Sequence, residues 1–267
     1  MRPAVPPRAG LAWRPSVAAL SDDAIPRVAW FNLGLEAIDR PAMLEGLGDR
    51  TPLCVEARGL SIGQAAPPDP ADLRRLAALA RRCAPGLVSL TSDRGGMEHF
   101  DRVTPPSVTR IATEIDAVQC TLGRPILFGG PGFGREVEDE TGRLAELALR
   151  SGCGLLLDVT DLVLRAAHHC VEAEAYLESY PLHLVGKIHL TAHPRHRKGG
   201  MRPCFEAHAA EIVRESWDIY RAVIARTGPL PTLIDCDAEI PDWARLGAEA
   251  ARADAILDTV AEFRRAS

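Results

Sequence analysis

The 267-residue sequence lacks the cysteine patterns of disulfide-bonded and thiolate-metal proteins. Its seven cysteines are widely spaced, their number is odd, and no C-x-x-C pair occurs. This argues against a disulfide framework and against a thiolate zinc site, so we expect free thiols. Only two of the 31 basic residues are lysines, Lys187 and Lys198, which leaves two candidate amines for Schiff-base chemistry.

Charge and hydropathy exclude further classes of protein. No run of lysines or arginines occurs, aromatic residues make up 5%, and the net charge is −5. These values do not favour binding to nucleic acid or to an anionic membrane surface. No apolar run approaches the roughly 20 residues that span a bilayer. Residues 1–10 are proline-rich with no apolar segment behind them, so we expect a cytoplasmic protein without a secretory signal.

Short apolar runs alternate with stretches of helical period along the whole chain. The runs are 10–13, 28–34, 53–57, 86–90, 125–128, 153–159, 184–190 and 231–237. Such alternation predicts an α/β protein, either a (β/α)8 TIM barrel or a doubly wound sheet, and eight runs favour the barrel. We expect one domain over residues 1–267, with a flexible N-terminus over 1–9.

The stretches of helical period predict six helices, several with start and stop signals. They cover 72–83, 107–123, 138–152, 172–180, 209–227 and 242–263. Ser107 and the segments 70–72 and 241–242 are typical of helix starts. Gly123, Gly152 and Gly228 lie where glycine commonly ends a helix.

Polar residues are concentrated at the carboxyl ends of the predicted strands, where TIM barrels carry their active sites. These positions are Glu36, Glu56, Ser89, Thr91, Gly129, Asp158, Asp161, His189 and Asp235. A single carboxylate there is more often part of an ion pair. Several carboxylates and a histidine together favour a site, because charged groups facing a barrel mouth are costly unless they are paired or bound to metal.

Asp158 and His189 each end an otherwise apolar strand. Metal ligation and a buried hydrogen bond are alternative roles for Asp158. His189 could ligate Fe, Zn, Mn or Ni as a neutral imidazole, or it could be held by a backbone carbonyl.

Three more residues are candidate ligands in the C-terminal third. Glu206 and His208 are two residues apart, so in an extended segment both point to one face and could bind one ion. Asp235 and Asp237 flank Cys236, so only one of them faces the barrel axis. We favour Asp235 because it lies two residues after Leu233.

Four segments of the C-terminal half resemble the multinuclear non-heme iron-dependent oxidative enzymes, which include the methanobactin-maturing oxygenase. The segments are SGCGLLLDVTDLVLRAAHH, AYLESYPLHLVGKIHLTAH, FEAHAAEIVRESWDIY and GPLPTLIDCDAEIP. Further matches lie earlier in the chain, in the same order as in the family, at GLAWRP, GLSIG and QCTLGRPIL. The resemblance therefore covers nearly the whole chain.

The resemblance implies a TIM barrel with two or three irons at its mouth and O2 chemistry in natural product biosynthesis. The implied substrate is a ribosomally made precursor peptide, presented by a separate partner protein. Residues matching the family's metal-ligand positions are Asp158, His189, Glu206, His208 and Asp235. Asp161 and His193 match two further site positions, and Glu36 matches an early Glu-Asn pair.

The sequence departs from the family pattern at five places. Glu56 replaces a histidine, residues 89–91 replace Ser-Glu-His, and residues 129–130 replace Glu-Asn. Val17 replaces a first-strand histidine, and Ala37 replaces the asparagine of the early Glu-Asn pair. These losses imply a reduced site with one or two irons instead of a complete triiron site. Glu56 could take over the role of the lost imidazole, or it could pair with Arg58 or Arg14.

Three functions remain open at this point, and so does the question whether the chain is an active enzyme. The first is an iron- and O2-dependent oxidoreductase that oxidises cysteine residues of a peptide. The second is a catalytically degenerate homologue that binds a peptide or a partner enzyme. The third is a divalent-metal sugar isomerase or epimerase in which Glu56 would be the base.

Overall fold

The computed structural model describes residues 4–13, 27–60, 62–63, 67–91, 107–130, 137–192, 212–236 and 242–266. Eight parallel strands close into a barrel in the order β1 to β8. The strands are β1 Ala9–Ala12, β2 Phe31–Leu33, β3 Leu53–Arg58, β4 Leu87–Thr91, β5 Leu127–Gly129, β6 Gly154–Asp158, β7 Val185–Ala192 and β8 Thr232–Cys236. Each overlaps one predicted apolar run, so the predicted TIM barrel is confirmed and the doubly wound sheet is not formed.

Helices follow most of the strands and surround the barrel. They are α1 Pro41–Gly48, α2 Pro70–Cys83, α3 Val108–Leu122, α4 Val137–Ser151, α5 Val159–His168, α6 Ala173–Ser179, α7 Arg214–Thr227 and α8 Trp243–Ala266. The six predicted helices correspond to α2, α3, α4, α6, α7 and α8. The sequence patterns did not predict α1, which is only eight residues long, or α5, which follows β6 without a connecting loop.

Capping residues explain where several helices begin and end. The Ser107 side chain accepts a hydrogen bond from the Arg110 N–H at 3.2 Å, as an N-terminal cap of α3 should. Gly123 and Gly152 have φ values of +65° and +67° just after α3 and α4. Glycine adopts this left-handed conformation without the steric cost that a Cβ brings.

Alternate residues of each strand face two different cores. Val55 and Ala57 of β3 are fully buried in the main core between strands and helices. Cys54 of β3 and Leu233 of β8 instead join Trp30 in a separate small cluster. Because side chains alternate with a period of two, residues two positions further along β3 and β8 also face the barrel interior.

Residues 4–8, part of the segment expected to be flexible, contact the amino end of the barrel. Arg8 pairs with Asp258 of α8 at 2.7 Å, and the Trp30 indole donates a hydrogen bond to the Arg8 carbonyl at 2.8 Å. A Cβ on Gly86 would overlap the Val5 side chain. These contacts cover the end of the barrel opposite to the candidate site.

Two sequence expectations can be compared with the described part of the chain. None of the six cysteines in this part of the chain forms a disulfide, and Cys204 lies outside it. Among the described helices, none is long and apolar enough to cross a membrane.

Candidate functional site

Six polar residues meet inside the barrel near the carboxyl ends of the strands. This inner cluster consists of Asn32, Glu56, Arg58, Lys187, His189 and Asp235. Except for Arg58, each of them is at most 5% exposed. Buried ionisable groups are costly unless they are paired, so the contacts within the cluster determine which group can bind a ligand.

Arg58 bridges two carboxylates that come from opposite parts of the barrel. Its Nε donates to Glu56 Oε1 at 2.9 Å, and its Nη2 donates to Asp235 Oδ2 at 2.5 Å. Strands β3 and β8 are not neighbours, so this bridge crosses the interior. Burial alone would lower the pKa of Arg58, but the charges of Glu56 and Asp235 outweigh it and raise the pKa. Arg58 is therefore a permanent cation held by two acids.

Glu56 is surrounded by donors and positive charge. It accepts hydrogen bonds from Asn32 Nδ2 at 2.8 Å and from Thr91 Oγ1 at 3.3 Å, in addition to Arg58. Burial would raise its pKa, but His189, Arg58 and Lys187 together lower the pKa to about 2. Of the alternatives for Glu56, the structure therefore shows the pairing with Arg58. So acidic a carboxyl is a weak proton acceptor, which does not favour the role of general base in an isomerase.

Lys187 is a second basic residue of the cluster, placed deeper in the barrel. Its side chain is fully buried, and Nζ donates to Asn32 Oδ1 at 2.8 Å and to Ser89 Oγ at 3.3 Å. Nζ lies 4.0 Å from Glu56 Oε2 and 5.5 Å from the centroid of the Trp30 ring. Burial lowers the pKa of Lys187. Because these groups enclose the amine, it acts as a counter-ion for Glu56 and is not presented to a substrate carbonyl.

His189 differs from the rest of the cluster in the hydrogen bonding of its ring. Its Nε2 is buried and has no hydrogen-bond partner among the described residues. The nearest acid, Glu56 Oε2, lies 3.7 Å away, beyond hydrogen-bond distance. Burial lowers the pKa of His189 to about 3, even though Glu56 opposes the shift. The imidazole is therefore neutral near pH 7, the form that ligates metals.

Asp158 lies beside His189 on the neighbouring strand, with their Cα atoms in register. Its Oδ2 accepts a hydrogen bond from Thr191 Oγ1 at 2.9 Å, and its Oδ1 accepts one from the Asp161 N–H at 2.9 Å. The second bond makes Asp158 the N-terminal cap of α5. The Asp161 carboxylate itself bonds to Arg165 at 2.7 Å.

The structure thus separates the predicted site residues into three groups. Glu56, His189 and Asp235 meet in the inner cluster, and Asp158 lies next to it. Glu36 is exposed in the 3-10 helix Leu35–Asp39, where its carboxylate folds back over Gly34, and Asp161 is engaged by Arg165. The predicted residues outside the described part of the chain are His193, Glu206 and His208.

Sequence reasoning did not assign Asn32, Arg58 or Lys187 to the site. For two of them the sequence spacing contained the information. Arg58 follows Glu56 by two residues and Lys187 precedes His189 by two, so the two residues of each pair lie on the same side of their strand. Charged residues at such positions next to a predicted ligand should be expected to face the same interior.

The described residues do not by themselves form a metal site. Within them, no group of three His, Cys, Asp or Glu side chains converges as a metal site requires. His189 offers one buried ring nitrogen without a hydrogen-bond partner among them. Glu56 and Asp235 are already neutralised by Arg58 and Lys187, so this side of the cluster does not suit a further ion.

The fold and the buried polar cluster at the carboxyl ends of the strands define a TIM-barrel protein with its candidate site in the usual place for this fold. The family model described as "RiPP precursor modification enzyme MbnB/TglH/ChrH" matches residues 8–258. The chain belongs to this family, which confirms the resemblance seen in the sequence.

Curated relatives share about a third of their residues with this chain. A UPF0276 protein of Bordetella pertussis is 36% identical over 275 residues, which cover 96% of this chain and 94% of the relative. A UPF0276 protein of Caulobacter vibrioides is 36% identical over 229 residues, which cover 82% and 81%.

Solved structures with the same fold are much more distant in sequence. A xylose isomerase domain containing protein from Salmonella typhimurium has a TM-score of 0.64 at 11% identity, covering 94% of this chain and 97% of that one. A Thermus thermophilus protein, solved after soaking with ZnCl2, has a TM-score of 0.54 at 16% identity, covering 94% and 98%. At these identities the likeness shows the barrel fold alone.

Proposed function

We propose that this chain oxidises cysteine residues of a ribosomally made precursor peptide, using one iron ion bound at His189. The carrying observation is the buried Nε2 of His189, which has no hydrogen-bond partner among the described residues. Leaving such an atom unpaired costs on the order of 1–3 kcal/mol, which a bound metal ion would offset. The family description supports a precursor peptide as the substrate.

The proposed ligands are His189, Asp158, Glu206 and His208. Two imidazoles with carboxylates and open positions are a donor set suited to Fe(II) that activates O2. Bound Fe(II) would supply O2 activation and a binding position for the substrate thiolate. Asp235, the fifth predicted ligand, is bonded to Arg58.

The chain's own residues orient this site. Thr191 and the first turn of α5 fix the Asp158 carboxylate next to His189. Fixed partners of this kind usually raise the affinity of a metal site, because the ligands lose less freedom on binding. The lowered pKa of His189 keeps the imidazole neutral at neutral pH, so one of its two ring nitrogens has a lone pair for a metal ion.

Iron content tests the proposal. After anaerobic loading with Fe(II) and removal of excess metal, we expect one iron per wild-type chain. The His189→Ala variant should lose this iron, and the matched His183→Ala variant, which changes an exposed histidine, should keep it. Oxygen uptake should then depend on a synthetic cysteine-containing peptide and on His189. Wild-type protein with well under one iron, or equal iron in both variants, would contradict the proposal.

A second candidate function is a metal-free homologue that binds a peptide or a partner protein without catalysis. The observation in its favour is that Glu56, Arg58, Lys187 and Asp235 neutralise one another without any metal. Under this alternative, peptide binding by EDTA-treated protein and by His189→Ala should equal that of the wild type. Under the iron proposal, binding of a thiol-containing peptide should weaken together with the loss of metal.

A further inference from the structure

Two buried carboxylates in the inner cluster share the Arg58 guanidinium. Glu56 and Asp235 are 2% and 1% exposed, the Arg58 side chain is 45% exposed, and neighbouring nitrogens of its guanidinium bond to both acids. Two buried acids that converge from different strands would otherwise attract a metal ion, because unpaired buried charge is strongly unfavourable.

Among the described residues, Arg58 already supplies a cation between the two acids. Its guanidinium carries a permanent positive charge and bonds to both carboxylates, and the Lys187 amine lies 4.0 Å from Glu56 Oε2. A divalent ion placed between the two acids would lie next to the guanidinium, and like charges at such short range repel. Arg58 also fits better than a lysine would, because its planar fork bonds to both acids at once.

We propose that the Arg58 guanidinium, bonded to both acids, excludes a metal ion from the space between Glu56 and Asp235, so that the barrel binds metal only on the His189 side. This inference rests on the proposed function for the His189 ion, but the exclusion by Arg58 can be tested separately. Arg58 then determines the number of metal ions, and it acts as a positioning residue for Glu56 and Asp235.

Cobalt binding to Arg58 variants tests the inference. Arg58→Met removes the charge and keeps much of the side-chain length, and Arg58→Lys keeps the charge. Co(II) stoichiometry is measured by calorimetry and by elemental analysis after gel filtration. We expect Arg58→Met to bind one more Co(II) per chain than the wild type, and Arg58→Lys to bind the same number as the wild type.

Thermal unfolding is a second measurement, which tests the inference even if the Arg58→Met variant folds poorly. Without a cation its two acids repel each other, so Arg58→Met in EDTA should have a lower Tm than the wild type. Co(II) should then raise the Tm of Arg58→Met by more than it raises the Tm of Arg58→Lys. The Arg58→Gln variant, which keeps donors but no charge, should show the same larger rise.

The outcomes separate the two proposals. If the wild type binds no Co(II) and Arg58→Met binds one, the exclusion by Arg58 stands and the ion at His189 is contradicted. If Arg58→Met and Arg58→Gln bind as many ions as the wild type and gain no additional Tm, the exclusion by Arg58 is overturned. Two or more ions in the wild type, with Arg58 present, would also overturn it.

Discussion

At the scale of single residues, the candidate site is defined by which polar atoms already have partners. Glu56 has four neighbouring donors or cations, whereas His189 Nε2 has no hydrogen-bond partner among the described residues. Two ionisable groups of one cluster thus have different roles. Glu56 stabilises the arrangement of the cluster, and His189 is the residue that we propose as a metal ligand.

The lowered pKa values of Glu56 and His189 predict an acid-sensitive fold for the metal-free protein. Between pH 6.5 and about 3 the unfolded chain protonates His189 and the folded chain does not, so stability falls as the pH falls. Glu56 also lowers the stability as the pH falls, but only below pH 4.5, as the pH approaches its folded pKa of about 2.

Urea unfolding in EDTA checks this prediction through His189→Asn. Between about pH 7.5 and about pH 5.5 we expect the wild type to lose about 1–2 kcal/mol more than this variant. The His183→Asn control, at an exposed position, should retain the wild-type pH dependence. Equal pH dependence in wild type and His189→Asn would contradict the assignment of a buried neutral imidazole.

At the scale of elements, a buried ion pair joins helices α4 and α5 next to the site. Arg165 of α5 bonds to Glu140 of α4 at 2.9 Å, and both side chains are at most 9% exposed. Arg165 also bonds to Asp161, whose backbone N–H donates to the capping residue Asp158. The helix that positions Asp158 is therefore attached to its neighbour by one guanidinium.

Removing this guanidinium should destabilise the protein strongly. We expect Arg165→Met to cost roughly 3–5 kcal/mol in urea unfolding, because Glu140 is left buried without its cation. The double variant Arg165→Met/Glu140→Met should recover much of that loss. The control Arg150→Met breaks an exposed pair with Glu146 and should cost about 0.5 kcal/mol or less. Equal effects of the two single variants would contradict the account.

Replacing glycine by alanine should have opposite effects on stability in strand β1 and in helix α1. A Cβ on Gly10 would overlap the Trp30 ring, whereas a Cβ on Gly46 would meet nothing within 4 Å. We expect Gly10→Ala to destabilise the barrel by about 1–3 kcal/mol through overpacking. Gly46→Ala should stabilise it by about 0.5–1 kcal/mol, because alanine favours a helix. Thermal unfolding of the two variants tests this, and shifts of the same sign would contradict it.

At the scale of the whole molecule, the barrel was predictable from the sequence, but the charge balance inside it was not. Each strand is an apolar run with a clear boundary, so eight strands could be counted. Helix α5 was missed because Asp158 both ends β6 and caps the helix, leaving no loop between the two patterns. The pairing of Arg58 with Glu56 was one of the alternatives open from the sequence. Its bond to Asp235 could not be predicted, because Asp235 is distant in sequence and becomes a neighbour of Arg58 only when the barrel closes.

The metal position is the central claim of this account, and anomalous diffraction at the iron edge tests it most directly. In crystals loaded with Fe(II) under anaerobic conditions, we predict one anomalous peak per chain, at coordination distance from His189 Nε2. We predict none between Glu56 and Asp235, where Arg58 should remain bonded to both acids. The absence of a peak at His189, or a peak between the two acids with Arg58 displaced, would contradict the account.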